Sequence, residues 1–368
     1  MKIAIMAPLV TAILEPQLGG SQAFVSDLAR GLTGRGHDVH VYAAAGSEIP
    51  GVEVIDTGVD SRSLAGTLYR ALGTFADESA ESGPAEADPV AAAAESAFTS
   101  AYTAMRASRY DVIHNHAFDA PAVRLAAALQ TPVVHTLHLP PDKAVSAALR
   151  DVARRTRPPA VATVSAFQAR AWRRVVPVDA ILPPYPPIRD IRWSERAGEG
   201  ALFAGRLSPE KGTAEAIDIA RAAGVPIDVY GDAYDADYSR EQIAPRRNWP
   251  EVTVHEGVPR AALWEVMARA AVVLCPARWD EPFGLAAAEA QACGTPVVAF
   301  RRGGLGEVIA DGVSGFLVPP DDVRAAAEAV SKVAGIPRAA CRDHAEERLD
   351  LELSLDAHER LYRRVADG

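Results

Sequence analysis

Residues 271–300, AVVLCPARWDEPFGLAAAEAQACGTPVVAF, contain one complete strand–helix–strand step, and their reading decides the fold. An apolar run, 271–276, closes at Pro276, a loop carries Asp280 and Glu281, an alanine-rich stretch runs to Gly294, and 296–300 begins the next strand. Short runs rich in Val, with no polar alternation, are strands buried on both faces, as in a parallel sheet covered by helices. Pro282 is expected at the first helical position, where its missing N–H costs nothing. The free amides of Phe283, Gly284 and Leu285 would then form an anion site strengthened by the helix dipole. Glu289 is the only charge in this helix, set among Ala286, Ala287, Ala288, Ala290 and Ala292. A helix apolar nearly all round is buried, and a buried carboxylate needs donors. They come either from an arginine of the protein or from a vicinal diol such as a ribose.

The same alternation extends in both directions. Strands are expected at 2–7, 38–43, 52–56, 111–114, 132–136 and 160–164, and again at 201–205, 225–230, 252–257, 271–276 and 296–300, with helical stretches between them. The implied class is α/β with two doubly wound, Rossmann-like domains facing a cleft. A chain of 368 residues supports two cores. The first domain is assigned to 1–182 and a hinge to 183–195, whose four prolines exclude regular helix or a central strand. The second domain is assigned to 196–347, and 348–368 to a last helix packing back on the first. The acidic stretch 76–97 reads as an exposed loop or loose helix without chemistry.

Composition excludes several functions. With 48 acidic against 38 basic side chains the net charge is -10, which argues against binding nucleic acid through phosphate neutralisation. Three cysteines do not make a disulfide framework, and with no cleavage site after the apolar start a cytoplasmic location is expected. Eight cations against one acid between Lys143 and Arg174 read as a solvated helical face. Peripheral contact with an acidic membrane there is the less favoured alternative.

Functional residues in such sheets lie just after the strands. Residues 201–212, ALFAGRLSPEKG, put Arg206 and Lys211 in one turn, so that both cations reach the same diphosphate without a metal. Gly19 and Gly20 follow strand one and open a helix, allowing close approach of the backbone to a ligand. They do not form a dinucleotide fingerprint, so a nicotinamide enzyme loses support. His114 and His116 end the strand 111–114, and their rings are expected on opposite faces, which disfavours a shared metal. His138 points toward the cleft, to contact an acceptor or to make a structural bond. Asp235 and Asp237 resemble an Asp-x-Asp metal motif but are read as ordinary loop acids. Glu307 either caps a helix beginning at Val308 or joins the site.

Glu281-x7-Glu289 between a strand and CGTPVVAF, together with GRLSPEKG and Gly303-Gly304-Leu305-Gly306-Glu307, resembles the retaining glycosyltransferases of family 4. Gly306 departs from the proline usual before that last glutamate. The resemblance implies the GT-B arrangement and transfer of a sugar from a nucleotide-diphosphate sugar, with no cofactor and no metal. UDP is preferred over GDP, and with no hydrophobic anchor visible in the sequence the acceptor is expected to be a soluble small molecule or glycan. By the same resemblance Glu289 holds the donor ribose, and Arg206 and Lys211 stabilise the departing diphosphate. Glu281 and His116 lie by the transferred sugar, Gly20, Phe283, Gly284 and Leu285 approach the donor, and Gly19 and His138 face the acceptor. A nucleotide-sugar 2-epimerase and an inactive nucleotide-sugar-binding protein share this architecture and stand as alternatives.

Overall fold

The computed structural model describes residues 1–17, 19–60, 89–196 and 198–367. Two parallel sheets organise it. The first is ordered β3-β2-β1-β4-β5-β6-β7, from β1 (Lys2–Met6), β2 (Asp38–Ala43), β3 (Glu53–Asp56), β4 (Val112–Asn115), β5 (Val133–Leu137), β6 (Ala160–Thr163) and β7 (Ala180–Ile181). The second is ordered β10-β9-β8-β11-β12-β13, from β8 (Ala201–Ala204), β9 (Ile227–Tyr230), β10 (Val252–His255), β11 (Val272–Cys275), β12 (Val297–Phe300) and β13 (Gly315–Val318). In each sheet the order reverses beside the first strand, β1 or β8, which is where open α/β sheets bind ligands. The architecture is therefore α/β with two Rossmann-like domains.

Strand periodicity explains the layering, because successive side chains leave opposite faces. On β12, Val297 and Ala299 enter a core with Met267, Ala287 and Ala290, whereas Val298 and Phe300 enter another with Ile217, Ala326 and Val330. On β1, Ile3 and Ile5 meet Phe24 and Leu28, while Ala4 and Met6 meet Phe98, Tyr102 and Met105.

Four expectations need correction. Strands β7 and β13 were not expected: one has two residues and the other, GFLV, is a short run opened by glycine. The acidic stretch 76–97 falls partly outside the described residues. Its end belongs to a helix, Pro89–Ala107, whose Phe98, Tyr102 and Met105 are buried. His114 and His116 do not face apart: residues two apart share a face, and their ring centroids lie 4.0 Å from each other. Helix 285–292 starts at Leu285 rather than Pro282, because Gly284 takes φ 105° and turns the chain there.

The last helix, Leu351–Asp367, lies against the first domain. Leu351, Leu355, Leu361 and Tyr362 complete the core built on β1, β2 and β4. The Tyr362 hydroxyl meets His114 Nδ1 at 2.6 Å.

Candidate active site

A cavity of about 520 Å³ lies between the domains, at the carboxyl ends of β8, β9 and β11. Arg206, Lys211, Glu281 and Glu289 all line it. Gly20 faces them from the other domain, where a Cβ would stand 3.7 Å from Leu285. Phe283, Gly284 and Leu285 also line the cavity, as do Gly19 and His138. His116 does not.

Each cation already holds an acid. Arg206 meets Glu210 at 3.1 Å and stacks on Tyr234, 4.6 Å from its ring centre. Lys211 Nζ donates to Glu281 Oε2 at 2.7 Å, and Trp279 Nε1 donates to the same oxygen at 2.9 Å. The Glu281 loop is held from behind: Gly304 N–H donates to the Glu281 carbonyl at 2.6 Å. Gly303 sits at φ 58°, where a Cβ would fall 2.2 Å from that carbonyl oxygen. A side chain at 303 would push the Glu281 loop out of place.

Glu289 is 5% exposed, as its alanine neighbours demand, and the protein does supply it with an arginine. Arg260 Nε and Trp264 Nε1 both donate to Oε1. Among the described residues no donor reaches Oε2 of this cavity-lining side chain. Arg260 also reaches Asp27 of the first domain at 2.6 Å. Burial pushes the Asp27 carboxyl up to about 6 against the pull of Arg260, and the two flanking carboxylates raise the guanidinium further. The sequence reading missed Arg260, Trp264, Trp279 and Asp27. An Asp inside the apolar stripe of helix 20–34 was the one available signal.

The opposite wall is neutral. His138 touches the cavity, and its Nε2 lies 2.9 Å from Nδ1 of His116, which is fully buried behind it. His116 Nε2 has no partner among the described residues. Desolvation lowers the His138 pKa to about 3 and holds His116 well below its usual range, with neighbouring histidines adding to the effect. His114 is a satisfied structural residue, bonded to Tyr362 and Thr136.

Other expected residues take structural roles. Glu307 lies inside the short helix Leu305–Val308 and caps a helix of the other domain, accepting the N–H groups of Ala166 at 2.8 Å and Phe167 at 2.6 Å. Asp235 caps a turn through the Tyr238 N–H, and Asp237 pairs with Arg240. The basic side chains between Lys143 and Arg174 are all exposed, the helix Lys143–Val152 turning Val145, Leu149 and Val152 inward. Among the described residues no helix is long and apolar enough to cross a membrane.

Sequence comparison gives this cavity a family. The profile of glycosyltransferase family 4 matches residues 18–184, and that of glycosyl transferases group 1 matches 192–348. A D-inositol 3-phosphate glycosyltransferase of Acidothermus cellulolyticus is 30% identical over 365 residues, spanning 86% of this chain and 78% of its own. The chain belongs to glycosyltransferase family 4. Its fold agrees with that of other GT-B enzymes. Sucrose-phosphate synthase from Thermosynechococcus elongatus superposes with a TM-score of 0.76 at 19% identity, covering 99% of both chains. Anabaena HepE in complex with UDP-glucose gives 0.69 at 21%, covering 100% of this chain and 98% of its own. The protein is thus a glycosyltransferase.

Proposed function

We propose that this family 4 enzyme takes a sugar from a nucleoside diphosphate sugar, UDP preferred over GDP, and passes it to a soluble small molecule or glycan with retention of anomeric configuration and without a metal. One observation carries the reading: Arg206, Lys211, Glu281 and Glu289 line one cavity at the strand ends, beside the open amide end of helix 285–292. HepE binds UDP-glucose on a similar fold, which supports the choice of nucleotide.

In this reading Glu289 Oε2 accepts from the ribose diol, and Arg206 and Lys211 take the diphosphate with the amides of Leu285 and Ala286. Charge growing on the leaving phosphate draws Lys211 from Glu281, so the ammonium binds the transition state more strongly than the ground state. Glu281, still held by Trp279, then meets the sugar hydroxyls. His138, in contact with the cavity, hydrogen-bonds the sugar or acceptor as a neutral imidazole, and His116 fixes its ring from behind. The departing phosphate oxygen takes the acceptor proton, because no histidine on this wall is poised to do so near neutral pH.

The test is thermal stabilisation by UDP and GDP, followed by transfer from the matching sugar nucleotide to an acceptor panel in EDTA, with the product anomer read by NMR. Stabilisation by neither nucleotide overturns the reading. A new sugar nucleotide formed without acceptor would make the protein an epimerase instead.

A further inference from the structure

Among the described residues Arg260 is the one side chain that bonds both domains and the carboxylate assigned to the ribose. Its Nε donates to Glu289 Oε1 and its Nη1 to Asp27 Oδ2, while its backbone N–H donates to Glu15 Oε2 at 2.9 Å. Asp27 and Glu15 lie in the first domain, Arg260 and Glu289 in the second. With Asp27 4% and Glu289 5% exposed, these ion pairs are dry. The guanidinium is a rigid planar fork, so one contact to each of two carboxylates fixes where the bonded oxygens stand relative to each other. Trp264 binds the same Oε1, and the Arg260 side chain stacks over the indole 5.0 Å from its centre. Every donor to Glu289 among the described residues thus ends on one oxygen and leaves Oε2 to a ligand.

A second observation points the same way. Arg260 lines the cavity, yet its Nη2 is buried with no acceptor among the described residues. A donor and an acceptor are therefore both left open within one Arg–Glu pair. A hydroxyl satisfies both, giving its proton to a carboxylate while accepting from a guanidinium N–H; a bare C–H satisfies neither.

We propose that Arg260 is a positioning and specificity-determining residue for the donor: it turns Glu289 so that Oε2 meets a ribose hydroxyl, and through Asp27 it makes that geometry depend on closure of the two domains. This rests on the ribose role proposed above for Glu289. Donor binding and closure then reinforce each other, since the ribose site is complete only while both domains hold the arginine.

The experiment is calorimetric binding of UDP, GDP and their 2′-deoxy forms to the full chain and to Arg260→Gln, Arg260→Lys and Asp27→Ala, with circular dichroism melting as the check on folding. The wild type favours the ribo form by about tenfold or more, and Arg260→Gln brings that ratio to about twofold. Arg260→Lys keeps the charge without the fork and falls between. Asp27→Ala, whose side chain is outside the cavity lining, lowers the ratio severalfold and raises the donor KM more than it lowers kcat. A purely structural arginine would weaken both ligands equally, so an unchanged ratio in Arg260→Gln and Asp27→Ala overturns the proposal. So does a wild type that does not distinguish the ribo from the deoxy form. If Arg260→Gln does not fold, Arg260→Lys and Asp27→Ala decide the question by the same ratio. Absence of nucleotide binding in the wild type, or an unaltered affinity in Glu289→Gln, removes the underlying ribose reading instead.

Discussion

The two walls of the cavity solve opposite electrostatic problems. On the second-domain wall every cation is held by an acid, Arg206 by Glu210, Lys211 by Glu281 and Arg260 by Glu289 and Asp27. Such a wall offers positive charge only where an incoming anion displaces a carboxylate. On the first-domain wall the histidines are so deeply buried, with His114 packed on His116 and His116 on His138 adding to the effect, that none accepts a proton readily. One wall exchanges charge, and the other supplies only neutral hydrogen bonds. In the proposed reading the difference assigns charge stabilisation to the nucleotide side and shape to the other.

Acid is the strongest way to break this contrast. The five buried histidines, 114, 116, 135, 138 and 358, stay neutral when folded but protonate near 6.5 when unfolded, so the unfolded state binds more protons as pH falls below that value. Each then removes about 1.4 kcal/mol of stability per pH unit, until the folded ring titrates, at about 4 for His135 and His358 and about 3 for His138. Asp27 and Asp119, raised to about 6 by burial, work the other way, because the folded state takes their protons first. The net expectation is a steep fall in Tm from pH 6.5 to 4, measured by calorimetry; a flat Tm would mean the histidines are charged or hydrated.

On the charged wall, Lys211→Ala removes the cation that moves to the leaving phosphate and leaves Glu281 without its counter-ion. The expected loss is about 10²–10³ in kcat, read as release of nucleoside diphosphate. Glu289→Gln comes next, weakening nucleotide binding by about 1.5–3 kcal/mol, the value of one charge-assisted hydrogen bond, in a calorimetric titration. On the neutral wall, His138→Ala lowers kcat by about tenfold, the value of roughly one neutral hydrogen bond, and leaves nucleotide affinity unchanged. The wild-type kcat shows no histidine inflection between pH 5 and 8. The smallest effect belongs to Glu307→Ala, which removes a cap from the helix 166–172 at a cost of about 1 kcal/mol, seen as a shift in the denaturant midpoint.

Much of this was legible from residue order because it rests on local signals. Valine-rich runs gave most of the strands, and the alanine field around Glu289 required burial, which the structure shows. The start of the site helix was misread because Pro282 obeys the usual rule for a first turn, while the positive φ of Gly284 moves the start three residues on. The facing of His114 and His116 was a misapplied periodicity. The partner of Glu289 was illegible for a different reason: Arg260 and Glu289 are 29 residues apart, and only the packing of two helices joins them. Asp27 lies 233 residues from Arg260, on the other domain, and Glu307 caps a helix 141 residues away. Local chemistry announces which groups need partners, whereas the partners are settled by the fold.

The last helix bears on how the chain is made. Its Leu355, Leu361 and Tyr362 are interior to the first sheet's core, and Tyr362 closes the bond to His114 across 248 positions of sequence. The amino-terminal half therefore cannot finish folding as it leaves the ribosome, since its closing piece is translated only after the whole second domain. The second domain, continuous in sequence, can be complete before the first is sealed, which reverses the usual order of maturation along a nascent polypeptide.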